Sequence, residues 1–211
     1  MNLYVITADY PDLGRTHVDV ALAALAAGCR WIQYREKDKD AAGGGDELKT
    51  IRQLTLEYEA MLVVNDHVEL ATRIGADALH LGQSDQVISS ARDRFAGVIG
   101  ISATTVAEAV AATEAGADYV GFGPIFATQS KSDVASPVGL SVLRTIRQLI
   151  SVPIVAIGGI SAKNVGEVVE AGADGVAVIS AVASAPDMVC AAQELIEIIE
   201  KGKRLRHVHT N

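Results

Sequence analysis

Ala27-Gly28-Cys29-Arg30-Trp31, Ile74-Gly75-Ala76-Asp77-Ala78, Ala115-Gly116-Ala117-Asp118-Tyr119 and Ala171-Gly172-Ala173-Asp174-Gly175 are four versions of one junction. Each ends a stretch of helical spacing and opens a short apolar run. The glycine supplies the left-handed backbone that closes a helix, where a Cβ would clash. Working outward, strands are predicted at Leu3–Thr7, Trp31–Tyr34, Leu62–Val64, Ala78–Leu81, Val98–Ile101, Tyr119–Phe122, Ile154–Ile157 and Gly175–Ile179. Most are apolar throughout, as parallel strands covered on both faces are. Helical patterns of about 10 to 15 residues separate them, among them His17–Ala27, Asp46–Ala60, Thr105–Ala115 and Ala162–Ala171. The chain therefore reads as eight βα units. The junction precedes strands two, four, six and eight, once in every two units. That spacing suits a closed barrel better than an open doubly wound sheet. The expected fold is α/β, a single (β/α)8 TIM barrel over residues 1–200, with a basic tail, 201–211, expected to fray.

The 211 residues carry 18 Lys and Arg against 26 Asp and Glu, a net charge of −8, so no chain-wide basic footprint for nucleic acid exists. With 49% apolar residues the chain can bury a core, and its aromatic content of only 4% favours close-packed helix-on-strand layers. Cys29 and Cys190 are too few for a disulfide framework or a four-cysteine zinc site. The sequence opens into Leu3-Tyr4-Val5-Ile6 without a basic n-region, so no secretory signal is expected. The apolar runs Val20–Cys29 and Val152–Ile160 fall short of the roughly 20 residues that span a bilayer. A cytoplasmic protein without membrane partners is expected; a homo-oligomer is compatible with the sequence. Gly43-Gly44-Gly45 reads as a surface turn.

In such a barrel the site lies where strands end and βα loops begin. After strand two, Gln33-Tyr34-Arg35-Glu36-Lys37 puts Gln33, Arg35 and Lys37 on one side by strand alternation, an amide and two cations suited to an anion or a solvated charged loop. Asn65-Asp66 follows strand three and Gly82-Gln83-Ser84-Asp85 follows strand four. Asp66 and Asp85 suit Mg²⁺, which takes one or two carboxylates plus water and phosphate oxygens; helix N-capping is the alternative for each. His80 points into the barrel, as a core residue or a substrate contact. Strand five ends at Ser102. Beyond strand six, Thr128-Gln129-Ser130-Lys131 offers two hydroxyls and a cation for a phosphoryl group. Gly158-Gly159, ahead of a possible N-cap at Ser161, and Ile179-Ser180 follow strands seven and eight, the recurring phosphate site of these barrels. Two anion sites in one mouth, one strong enough for a diphosphate, suggest group transfer with diphosphate leaving. No Ser-His-Asp or Cys-His arrangement suggests a covalent enzyme intermediate.

Taken in order, Gln33–Lys37 (QYREK), Asn65-Asp66, His80–Asp85 (HLGQSD), Gly100–Ser102, Thr128–Lys131 (TQSK), Ala156–Ile160 (AIGGI) and Val178–Ser180 resemble the motifs of the thiamine-phosphate synthase family. The likeness runs from Tyr4 to about Ala185. It implies a (β/α)8 barrel that condenses two small phosphorylated heterocycles. One is 4-amino-2-methyl-5-(diphosphooxymethyl)pyrimidine and the other 4-methyl-5-(2-phosphooxyethyl)thiazole; the products are thiamine phosphate and diphosphate. By resemblance, Asp66 and Asp85 hold Mg²⁺, and Arg35, Lys37, Asn65 and Lys131 hold the diphosphate. Gln33 and Ser102 meet the pyrimidine, with Lys131 and Ser102 nearest the chemistry. Thr128, Ser130, Gly158 or Gly159, Ile179 and Ser180 take the thiazole phosphate. The family is described as ionising first, to a pyrimidine carbocation that the thiazole nitrogen captures. Tyr34, Ser130 and His67 depart from the family's usual residues without removing a proposed ligand. A thiazole phosphate tautomerase on the same barrel is the alternative. It keeps a His shortly after the strand-five serine, where this chain has Ala103-Thr104-Thr105.

Overall fold

The computed structural model describes residues 2–36, 45–82, 88–128 and 136–209. Eight parallel strands close a barrel in chain order: β1 (Leu3–Ile6), β2 (Trp31–Tyr34), β3 (Met61–Asn65), β4 (Ala78–Leu81), β5 (Val98–Ala103), β6 (Tyr119–Phe122), β7 (Ile154–Ile157) and β8 (Gly175–Val178). β8 returns to β1 in the register Tyr4↔Ala177. Outside the strands lie α1 (His17–Ala26), α2 (Gly45–Glu57), α3 (Val68–Ile74), α4 (Ile88–Arg92), α5 (Val106–Glu114), α6 (Gly139–Leu149), α7 (Val165–Glu170), α8 (Ser180–Ala183) and α9 (Met188–His209). Among the described residues no helix is long and apolar enough to cross a membrane.

Strand alternation splits the apolar residues into two cores. Leu3 and Val5 of β1 face the helices, whereas Tyr4 and Ile6 face the lumen with Val63, Tyr119 and Val155. The helix starts follow local chemistry. Thr16 and Thr105 each form a reciprocal capping box, with Asp19 and Glu108, ahead of α1 and α5. α7 starts later than the apolar pattern suggests. Ser161 is not its cap: the Ser161 N–H donates to Asn164 Oδ1 at 2.8 Å, and this tight turn delays the helix to Val165.

All four junction glycines have positive φ: +96° at Gly28, +65° at Gly75, +91° at Gly116 and +112° at Gly172. The aspartates beside three of them carry a second function. Asp77, Asp118 and Asp174 each accept the first-turn N–H of the preceding strand, from Leu62, Ile99 and Ile154 at 2.8, 2.7 and 2.9 Å. Each also pairs with an arginine: Arg52, Arg92 and Arg147 respectively. These ion pairs sit at the N-terminal face of the barrel, where a fold is stabilised rather than its chemistry performed.

Part of the basic tail lies in a helix. α9 continues to His209, because its basic residues find partners under the barrel. Lys203 Nζ donates to Asn2 Oδ1 at 2.8 Å and to the Asp174 carbonyl at 2.5 Å, and Arg206 reaches Asp174 Oδ1 at 3.1 Å. Asp174 thus joins β7, α6 and α9. Asp174→Ala is expected to lower stability by about 1–3 kcal/mol, chiefly by leaving the Ile154 N–H without its acceptor. An unchanged midpoint in urea unfolding would remove this role.

Candidate active site

A cavity of about 670 Å³ opens among the C-terminal strand ends, lined by Ser102, Thr128, Gly158, Gly159, Ile179 and Ser180. Beneath it, in the lumen, lies a pocket of about 50 Å³ with Gln33, Asn65, His80 and again Ser102 in its walls. The two spaces adjoin at Ser102. All five described residues assigned to a thiazole phosphate therefore share one cavity. Gln33 and Asn65, assigned to the other substrate, meet in the second space. Lys37, Asp85, Ser130 and Lys131, like Gly43 and Gly44, lie outside the described residues.

The glycine pair after β7 has a steric origin as well as a chemical one. Gly158 and Gly159 have φ of +99° and +65°. A Cβ on Gly158 would lie 2.5 Å from Pro124 Cβ, and one on Gly159 would lie 2.5 Å from the Ala127 carbonyl oxygen. The loop after β6 runs hard against this turn, with Phe126 N–H donating to the Gly158 carbonyl at 3.0 Å. That approach brings Thr128 to the same cavity as the glycines.

Asp66 is no helix cap. His67 occupies the N-cap position of α3 and makes no side-chain cap bond. Asp66 instead has φ +63°, with its N–H donating to the His80 carbonyl at 2.8 Å and its carboxylate receiving Asn65 Nδ2. A non-glycine residue held there costs about 1–3 kcal/mol, and such strain gathers at functional sites. An acidic, partly exposed oxygen donor oriented by an amide fits a hard cation. Arg35 lies just past the end of β2, half-buried at the same rim.

Inside the barrel a line of hydrogen bonds joins Gln33 to Ser102. Gln33 Nε2 donates to Tyr4 Oη at 2.6 Å; Tyr4 and Tyr119 hydroxyls lie 3.2 Å apart. Tyr119 Oη is 2.9 Å from His80 Nδ1, and His80 Nε2 is 2.9 Å from Ser102 Oγ. Burial pushes both tyrosine pKa values up, keeping the hydroxyls protonated and able to donate along the line. His80 packs on Tyr119 with ring centroids 5.6 Å apart and lines the lumen pocket. Tyr4 and Tyr119 were not expected at the site, although a tyrosine at an inward position of an aliphatic strand was the available signal. Tyr10 and Ser184, which also line the larger cavity, sit in loops where no periodicity marks them.

The sequence matches the family model described as thiamine monophosphate synthase over residues 3–182. It is 45% identical to the thiamine-phosphate synthase of Chloroflexus aurantiacus over 93% of this chain and 92% of that protein. Against the thiamine-phosphate synthase of Archaeoglobus fulgidus it is 43% identical, over 96% of this chain and 95% of the relative. The solved thiamine phosphate pyrophosphorylase of Pyrococcus furiosus superposes with a TM-score of 0.87 at 40% identity, covering 95% of this chain and 96% of that one. With its barrel, its paired cavities and these relatives, the chain belongs to the thiamine monophosphate synthase family.

Proposed function

We propose that this enzyme of thiamine biosynthesis, a transferase, condenses the pyrimidine methyl diphosphate with the thiazole phosphate to give thiamine phosphate and diphosphate. The observation that carries this reading is the pair of adjoining spaces that share Ser102, one with hydroxyls and glycine amides for a monophosphate, the other with Gln33 for a heterocycle and Asn65 for its diphosphate.

The thiazole phosphate enters the larger cavity, where Thr128 and Ser180 hydroxyls and the backbone around Gly158 and Gly159 receive its oxygens, with Ser130 beside them. Ile179 closes the wall. Gln33 and Ser102 orient the pyrimidine, with His80 holding Ser102 from behind. Arg35, Lys37, Asn65 and Lys131 surround the diphosphate and stabilise the charge it gains as its bond to the methylene carbon breaks. Asp66 and Asp85 would hold Mg²⁺, which supplies further charge neutralisation to the leaving group. The carbocation left behind is captured by the thiazole nitrogen, so no side-chain base is required. Holding both partners in adjoining spaces removes the entropic cost of their encounter.

The test is direct. Both phosphorylated substrates and Mg²⁺ are mixed with the folded protein, and thiamine phosphate is read as its fluorescent thiochrome derivative. Product forming only when both substrates are present is the expected result. Absence of product at high enzyme concentration would sink the proposal.

A further inference from the structure

Outside the two cavities, at the same rim, the ends of β1 and β2 and the start of α1 bring together Asp9, Glu36 and His17, whose ligand atoms all lie within 4.8 Å of one another. His17 Nε2 is 3.7 Å from Asp9 Oδ1 and 3.4 Å from Glu36 Oε2. Ligands at about 2.0–2.2 Å from one tetrahedral ion stand about 3.3–3.6 Å apart, so the His17–Glu36 separation matches an edge of a coordination tetrahedron and the His17–Asp9 separation exceeds one slightly.

A second observation comes from the far side of the imidazole ring. His17 is buried, and its Nδ1 is 2.7 Å from Thr7 Oγ1. The Thr7 hydroxyl also lies 3.2 Å from the Gln33 carbonyl, which anchors it beside the ring. That arrangement holds the ring from its far side and turns Nε2 toward two carboxylates. A hydroxyl or carbonyl orienting a metal-binding imidazole in this manner is the usual outer support of such a ligand. One imidazole nitrogen and two carboxylates converging on the same space make a donor set for a cation. The Asp9 side chain, 39% exposed, opens the position to solvent and to a water as fourth ligand.

The geometry points to a divalent transition-ion site at Asp9, His17 and Glu36, distinct from the acidic pair Asp66 and Asp85. Imidazole with two carboxylates selects zinc-like ions over Mg²⁺, which prefers oxygen alone. A bound ion would tie the β1 loop to the β2 loop and fix the segment that carries Arg35.

Cobalt(II) is the probe. Chelator-stripped protein titrated with cobalt(II) is expected to show a visible ligand-field band of tetrahedral intensity that saturates at one equivalent. Asp66→Asn should leave this band intact, and His17→Gln should abolish it. Thr7→Val, which removes only the outer support, should weaken cobalt binding about tenfold or more. No band in the folded wild-type protein, or a band that survives His17→Gln, would overturn the site. Should His17→Gln fail to fold, ¹⁵N-histidine spectra of the wild type decide it. Zinc addition is expected to shift Nε2 of one of the five histidines. Five unchanged signals mean that a proton alone occupies the position and the site is refuted. None of these readouts depends on thiamine phosphate formation.

Discussion

Asp66→Gly is expected to lower turnover at least about a hundredfold while leaving stability within about 1 kcal/mol of the wild type. The rate loss follows from the proposed function, which gives this carboxylate a part in stabilising the departing diphosphate; single stabilising groups of this type contribute about 10²–10³ in rate. Unchanged stability follows from the backbone. At φ +63° an aspartate is held where glycine rests without strain. Relief of that strain offsets the extra freedom glycine brings to the unfolded chain, about 0.5–1 kcal/mol. Loss of activity without loss of stability separates a functional carboxylate from a structural one. Steady-state rates at saturating Mg²⁺, beside urea unfolding, make the comparison. A variant within tenfold of the wild-type rate would exclude Asp66 from the site. Asp85→Ala and Lys131→Ala, chosen on the family resemblance, carry the same expected loss.

The fold was legible because the junctions repeat. A glycine that must close a helix leaves a mark that does not depend on the rest of the chain, and all four such glycines have the positive φ that the motif requires. What the junctions also hold, the aspartates that accept an N–H of the preceding strand, was not legible, since an Asp after Gly-Ala reads as ordinary loop chemistry until Arg52, Arg92 and Arg147 arrive from distant helices. The partners of the tail were hidden for the same reason. Lys201 to His207 looks like a solvated basic run, and only the fold brings Asp174 and Asn2 beneath it. At the site, strand alternation correctly turned Gln33 inward and Tyr34 outward, with Gln33 bonded to Tyr4 and Tyr34 packed on His17 at 4.9 Å between ring centroids. Alternation says nothing about which inward residues will touch. The line from Gln33 through two tyrosines and His80 to Ser102 is a product of barrel register, which sets Tyr119 beside Gly100 and Asn65 beside His80. Short-range rules also could not tell that Asp66 does not cap α3. A backbone angle and the place of His67 exclude that, and no residue type announces either.

Gly159→Ala is the substitution expected to damage the phosphate cavity most without touching a charge. The new Cβ would stand 2.5 Å from the Ala127 oxygen and 2.8 Å from Phe126 Cβ, and the residue would have to hold φ +65°. Left-handed backbone costs an alanine about 1–2 kcal/mol, and forcing atoms into a filled space costs about 1–3 more. The loop after β6 can relieve the overlap only by moving away, and Thr128 moves with it. Stability is therefore expected to fall by about 2–5 kcal/mol, and KM for the thiazole phosphate to rise at least about tenfold. KM for the pyrimidine diphosphate should change little, because its pocket lies on the far side of Ser102. Gly166→Ala supplies the contrast. Its Cβ would meet nothing nearer than Ile198 Cγ2 at 3.8 Å, inside α7, so it should raise stability by about 0.5–1 kcal/mol and leave both KM values alone. Equal effects of the two changes on unfolding and on KM would mean that the loops beyond β6 and β7 are not locked together, and that the cavity owes its shape to something other than this contact.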